Sequence, residues 1–148
     1  MKQNVLLYPP DLVAKFIAEQ EGFSGLAYKC PAGVWTIGFG HTKDVREGDK
    51  ITRTEALDLL SQDLIQTQEE LATLVHIDVT ENQFIALMSF VYNFGITKCR
   101  RYTLFKMVNA EDKAGIREWW PKYCNPDNPK ITKGLRDRRM RELNLFFS

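Results

Sequence analysis

No stretch of this 148-residue chain approaches the roughly 18 consecutive apolar residues that a membrane-spanning helix needs. The start, Met1 to Asn4 followed by Val5-Leu6-Leu7-Tyr8 and two prolines, is too short in its apolar part for a signal peptide. The chain is therefore expected to stay in the cytoplasm of the cell that makes it. Cysteine is scarce: Cys30, Cys99 and Cys124 are odd in number, far apart and in no CxxC arrangement, which argues against a disulfide framework and a zinc site. Internal repeats, low-complexity tracts and linkers are absent. An overall net charge of +1 gives little support to a nucleic-acid binder, whose footprint is a strongly basic domain.

What is present fits one domain over residues 1–148, large enough to bury a core, with 44% hydrophobic and 26% charged residues. The small net charge hides an asymmetry. Residues 1–75 carry 7 Lys+Arg against 11 Asp+Glu, and residues 76–148 carry 13 against 8, so the halves stand at −4 and +5. A basic C-terminal half favours a polyanionic partner on one side only.

Leu12, Val13, Phe16 and Ile17 recur at helical spacing, which predicts a short amphipathic helix from about Asp11 to Gln20 with Glu21 at its end and Gly22 and Gly25 stopping it. The end of a helix disfavours a carboxylate and favours the protonated form that a general acid needs. Leu26 to Cys30, a Pro31-Ala32-Gly33 turn and Val34 to Gly38 then read as a β-hairpin. Strand alternation allows Cys30 and Thr36 to face one side, toward Glu21. Gly38-Phe39-Gly40 leaves backbone open to the close approach of a flat ring.

A polar loop, Lys43 to Lys50, precedes a capping box at Thr52 and Glu55, which starts a helix running to about Val75 with Ala56, Leu57, Leu60, Leu64, Leu71 and Leu74 on one side. Thr80 and Gln83 form a second capping box, opening an apolar helix that Gly95 ends. Shorter helices follow at Leu104 to Val108, Ala114 to Trp120 and Leu135 to Phe147, with a turn at Asn125-Pro-Asp-Asn-Pro129. The class is α+β, mostly helical, with one small sheet near the N-terminus.

The stretch from Glu21 to Thr42 resembles the signature of the phage lysozyme family, glycoside hydrolase family 24: a Glu, an Asp after eight intervening residues, a Thr after five more, then Ile-Gly-x-Gly-His. Glu21, Tyr28, Gly33, Thr36, Ile37, Gly38, Gly40 and His41 match it. Thr80 to Leu87 leading to Ser89-Phe-Val-Tyr-Asn93-Phe-Gly95 resembles the family's central helix, and Gly134-Leu135, Arg138-Arg139 and Glu142 its C-terminal motif. One position departs, because Cys30 stands where most members carry Asp.

The resemblance implies a two-lobed fold around a cleft, with a small lobe at about 11–55, a connecting helix at about 53–75 and a helical lobe at about 76–148. It implies a muramidase that hydrolyses the β-1,4 bond between N-acetylmuramic acid and N-acetylglucosamine. Glu21 is the expected general acid. Cys30 and Thr36 are expected to hold the water that attacks from the opposite face, giving an inverted product; attack by Cys30 itself is the alternative. Glu19, Asp44 and Asp49 are rival acids off the motif positions. His41 is expected to brace the hairpin against the loop. Thr42, Tyr92, Asn93 and Thr103 fall where family members line the saccharide groove, and Arg139 is expected opposite Glu21. Trp35 and Phe39 read as core packing rather than sugar platforms. No metal or organic cofactor is implied. The partner is the glycan of peptidoglycan, whose peptide carboxylates suit the basic half, and a monomer reaches it in the periplasm through a separate holin. A peptidoglycan-binding relative impaired by Cys30 is the competing expectation.

Overall fold

The computed structural model describes residues 1–124 and 129–148. The turn expected at Asn125-Pro-Asp-Asn-Pro129 lies, through Asn128, outside the described residues. The fold is α+β and mostly helical. It divides into two compact units, one of Pro10–Gln66 and one of Met1–Pro9 with Thr67–Ser148.

In the smaller unit a 3₁₀ turn, Pro10–Val13, leads into helix α1, Ala14–Glu21. The helix expected from Asp11 thus opens as a tighter turn, with Pro at its start where the missing N–H needs no partner. Val13 and Ile17 are fully buried, and Gly22 ends α1 at φ 69° while its N–H bonds Ala18 O at 3.0 Å. That positive φ is why a glycine follows Glu21. Strands β1, Ser24–Lys29, and β2, Trp35–Gly38, pair antiparallel with Tyr28 opposite Thr36 and Lys29 opposite Trp35. Ser24 pairs Gly38, so the register shifts between Ser24 and Tyr28, a bulge that bends β1.

Helix α2, Arg53–Ala72, starts at the predicted box: Thr52 N–H donates to Glu55 Oε1 at 3.1 Å and Glu55 N–H to Thr52 Oγ1 at 3.2 Å. It stops short of Val75, where the Thr73 hydroxyl and N–H both turn back to Glu70 O. Ala56, Leu60, Leu64 and Leu71 are buried as the period requires, whereas Leu57 is 39% exposed. A 3.6-residue period gives the face but not how far the core reaches around it.

The larger unit is built on α3, Glu81–Phe94. Thr80 and Gln83 complete their reciprocal capping bonds, and Gly95 closes the helix at φ 82°. Phe84, Leu87, Met88 and Phe90 are fully buried, each stabilising the fold by about 1.5–3 kcal/mol. Four helices follow: α4, Ile96–Cys99; α5, Leu104–Asn109; α6, Lys113–Trp119; and α7, Pro129–Phe146. Helix α7 begins at Pro129 rather than Leu135, and it is the main neighbour of α3. Phe90 sits at the hub of Phe94, Tyr102, Phe105, Trp120 and Tyr123, with ring centroids 4.8–6.1 Å away.

Candidate active site

In the smaller unit, the hairpin brings three of the sequence-predicted residues into one neighbourhood. Cross-strand partners share a face, so Tyr28 and Thr36 point to the same side, and Cys30, two residues beyond Tyr28, follows them. The opposite face carries Lys29 with its ammonium 5.4 Å from the Trp35 ring centroid, which engages the half-buried Trp35 in a cation contact. Phe39 is 2% exposed and packs on Phe23 at 5.5 Å.

The turn after β1 is closed by Cys30 N–H to Val34 O at 3.0 Å and Gly33 N–H to Cys30 O at 2.8 Å. The backbone at Val34, more than that at Ala32 and the Thr36 hydroxyl, holds the Cys30 thiol below its ordinary value, against a smaller opposing effect of burial. Sequence reasoning alone gave this thiol its ordinary value; the turn lowers it. Thr36, 4% exposed, also sends its hydroxyl hydrogen to Val34 O at 3.0 Å.

Glu21 closes α1, half-buried. Tyr28 reports its proximity: burial, then the Glu21 carboxylate, then Cys30 push the phenol above its ordinary range. Tyr28 matches the family signature, yet the sequence offered no role for it.

His41 is held from both sides. Its Nδ1 lies 2.8 Å from Asp63 Oδ2 on α2, and its Nε2 lies 2.9 Å from Lys43 O. The residue ties the loop after β2 to α2, and Asp63, 22 positions away, is the partner that local pattern could not supply. Thr42 is exposed on that loop. Of the rival acids, Asp49 accepts from Arg46 N–H at 2.8 Å, and Asp44 occupies an exposed turn at φ 56°.

In the larger unit, Tyr92 and Asn93 are half-buried in the last turn of α3, and Thr103 is exposed ahead of α5. Asn93 Oδ1 is buried with no hydrogen-bond partner among the described residues. Such an acceptor is costly unless something else donates to it. Arg139, expected opposite Glu21, is fully buried within the larger unit and donates to Glu142 from Nε at 2.6 Å and Nη2 at 2.9 Å, and from Nη1 to Tyr123 O at 3.3 Å. Glu142 also accepts from Ser89 Oγ at 2.5 Å, Trp120 Nε1 at 3.2 Å and Arg138 Nε at 3.4 Å. A carboxylate buried this deeply needs donors at every lone pair, and its own helix supplies them at i−3 and i−4. Among the described residues, no group of three His, Cys, Asp or Glu side chains could hold a metal ion.

The model of the family described as phage lysozyme matches residues 18–142. The chain belongs to the phage lysozyme family. Membership makes it a glycoside hydrolase of the kind that degrades peptidoglycan. The chain is 38% identical to an endolysin of Acyrthosiphon pisum secondary endosymbiont phage 1 over 135 residues, spanning 89% of this chain and 92% of that one. It is 36% identical to a SAR-endolysin of Enterobacteria phage P21, covering 80% and 72%. Among solved structures, the muramidase domain of SpmX from Asticaccaulis excentricus superposes with a TM-score of 0.82 at 32% identity, covering 91% of this chain and 94% of that one. An endolysin from Escherichia coli O157:H7 phage FAHEc1 gives 0.77 at 30%, covering 100% and 97%. No helix among the described residues is long and apolar enough to cross a membrane.

Proposed function

We propose that this phage lysozyme cleaves the β-1,4 bond between N-acetylmuramic acid and N-acetylglucosamine with inversion. Glu21 protonates the leaving oxygen. Water held by Cys30 Sγ and Thr36 Oγ1 attacks the anomeric carbon from the other face. The observation that carries this reading is the hairpin register, which sets Tyr28 opposite Thr36 with Cys30 next in the turn, together with the Glu21 charge that helps to raise the Tyr28 phenol.

The Thr36 hydroxyl hydrogen goes to Val34 O, and a Cys30 thiolate would be a second acceptor for it. When the thiol is ionised, the hydrogen turns to sulfur; when a proton returns to sulfur, the hydroxyl falls back to Val34 O. The pair can thereby take the proton that the attacking water must lose, the task a carboxylate performs at this position elsewhere in the family. Thr42, Tyr92, Asn93 and Thr103 are proposed to bind the saccharide, with Asn93 Oδ1 taking a donor from it. His41 and Arg139 support their own elements, His41 through Asp63 and Arg139 through Glu142. The enzyme works as a monomer in one 1–148 domain, without cofactor, and reaches the wall through a separate holin.

The test is release of reducing ends from purified Gram-negative sacculi. The unaltered protein is expected to release them, and Glu21→Gln to be slower by about 100- to 10,000-fold, the contribution of a general acid. An unaltered protein that pellets with sacculi and releases nothing would replace this reading with that of a binding module disabled by Cys30.

A further inference from the structure

One wall of the smaller unit has no part in the chemistry above. A solvent-open pocket of about 530 Å³ is lined by Lys15, Glu19, Gly22, Phe23, Phe39, Arg53 and Leu57 among others. Its volume is in the range of small-ligand sites, about 300–1,000 Å³. Phe23 and Leu57 leave 41% and 39% of their surfaces to solvent here, although Leu57 lies on the side of α2 that its period assigns to the core.

The charges around this apolar floor run against those of the unit. Residues 10–66 hold 6 Lys+Arg and 9 Asp+Glu, yet the pocket gathers Lys15 and Arg53 against Glu19 alone. Neither cation is ion-paired among the described residues. The Arg53 guanidinium lies 5.2 Å from the Phe39 ring centroid and 6.0 Å from that of Phe23. A guanidinium held over aromatic rings keeps its in-plane N–H donors available for a carboxylate. Arg53 also stands in the first turn of α2, where the helix dipole disfavours a cation, so helix electrostatics do not explain its placement. Lys15 and Glu19, four residues apart, share one face of α1.

We propose that this pocket binds the stem peptide of peptidoglycan. Its carboxylates go to Arg53 and Lys15, the free amine of its diamino acid goes to Glu19, and its aliphatic chain lies over Phe23 and Leu57. A ligand carrying both charges on an aliphatic chain is the one that complements two cations, one anion and an apolar floor. Gly22 joins the pocket directly to Glu21, so a peptide branching from the glycan beside the scissile bond has a short path to it. The inference rests on the peptidoglycan reading.

The experiment titrates the intact protein with the isolated acidic tripeptide of the stem, followed by amide NMR shifts, and measures turnover on intact sacculi and on glycan strands stripped of peptide. Shifts are expected at Gly22, Phe23 and Arg53. Arg53→Ala is expected to weaken peptide binding by about tenfold, the worth of a charge-assisted hydrogen bond, and Arg53→Lys to recover part of it. In Arg53→Ala the ratio of turnover on sacculi to turnover on stripped strands falls. Peptide shifts that bypass these residues, an unchanged ratio, or shifts with neutral aliphatic alcohols but none with the peptide would each overturn the proposal. If the unaltered protein hydrolyses neither substrate, the hydrolase mechanism fails, while the peptide titration still decides the pocket by itself.

Discussion

Cys30 and Cys99 carry the same side chain into opposite surroundings, one in the hairpin of the smaller unit and one at the end of α4 in the larger. At the hairpin turn, the backbone at Val34 outweighs burial, and the Cys30 thiol lies below its ordinary value. Cys99 is fully buried, and desolvation outweighs the nearby Arg139 charge to push it up to about 12. A helix consumes its own N–H groups, so packing against helices buries a thiol without offering it donors. The two thiols differ by their surroundings, not by residue type. The same contrast separates the two glutamates. Glu142 has every lone pair occupied inside the larger unit, and Glu21 ends a short helix only half-buried.

The comparison breaks most strongly at Glu142. Glu142→Ala leaves Arg139 buried without its counter-charge and is expected to lower stability by about 3–5 kcal/mol in urea denaturation, the cost of orphaning a buried charge. An effect near zero would remove the larger unit's network from the account. Next comes Cys30→Ala, expected to slow release of reducing ends by about 100-fold while the urea midpoint stays in place, and Cys30→Asp, expected to keep most activity because it restores an acceptor for the water's proton. Equal rates in all three proteins would leave the thiol a bystander.

Capping offers a finer probe. Thr80→Ala removes half of the box that opens α3, at a cost of about 1 kcal/mol, and Thr52→Ala, on an exposed box, costs less; thermal melts of the two variants rank them. The smallest effect is a slope with pH. Cys99 has a folded value raised above its unfolded value of about 8.5, so its contribution to stability is complete below about 8.5 and is lost as pH rises toward about 12. Cys30 has a depressed value, so its contribution is present above about 8.5 and lost as pH falls through the lower folded value. Cys99→Val should flatten the alkaline fall in melting temperature and Cys30→Ala should not.

The sequence showed those parts of the molecule that are set locally. Both capping boxes, the Gly22 and Gly95 stops and the hairpin turn are fixed by neighbours within a few residues, and each stands where the pattern put it. The bulge in β1, which decides that Tyr28 faces Thr36, comes from pairing and left no local mark. Glu142, three residues on from Arg139, is a helical partner that the sequence spacing offered and the reading did not use. Asp63 answers His41 across 22 positions, beyond what periodicity reaches. Leu57 shows the converse limit: apolar spacing marked a face, and only the fold showed that its edge lines an open pocket.

The most direct measurement of the mechanism is the anomeric configuration of the first product, read by rapid chromatography of short glycan strands before mutarotation. Water delivered by Cys30 and Thr36 against Glu21 predicts the α-anomer, an inverted centre. A β-anomer would contradict it, because retention needs two displacements, the first made by the Cys30 sulfur or by the substrate's own 2-acetamido oxygen rather than by water.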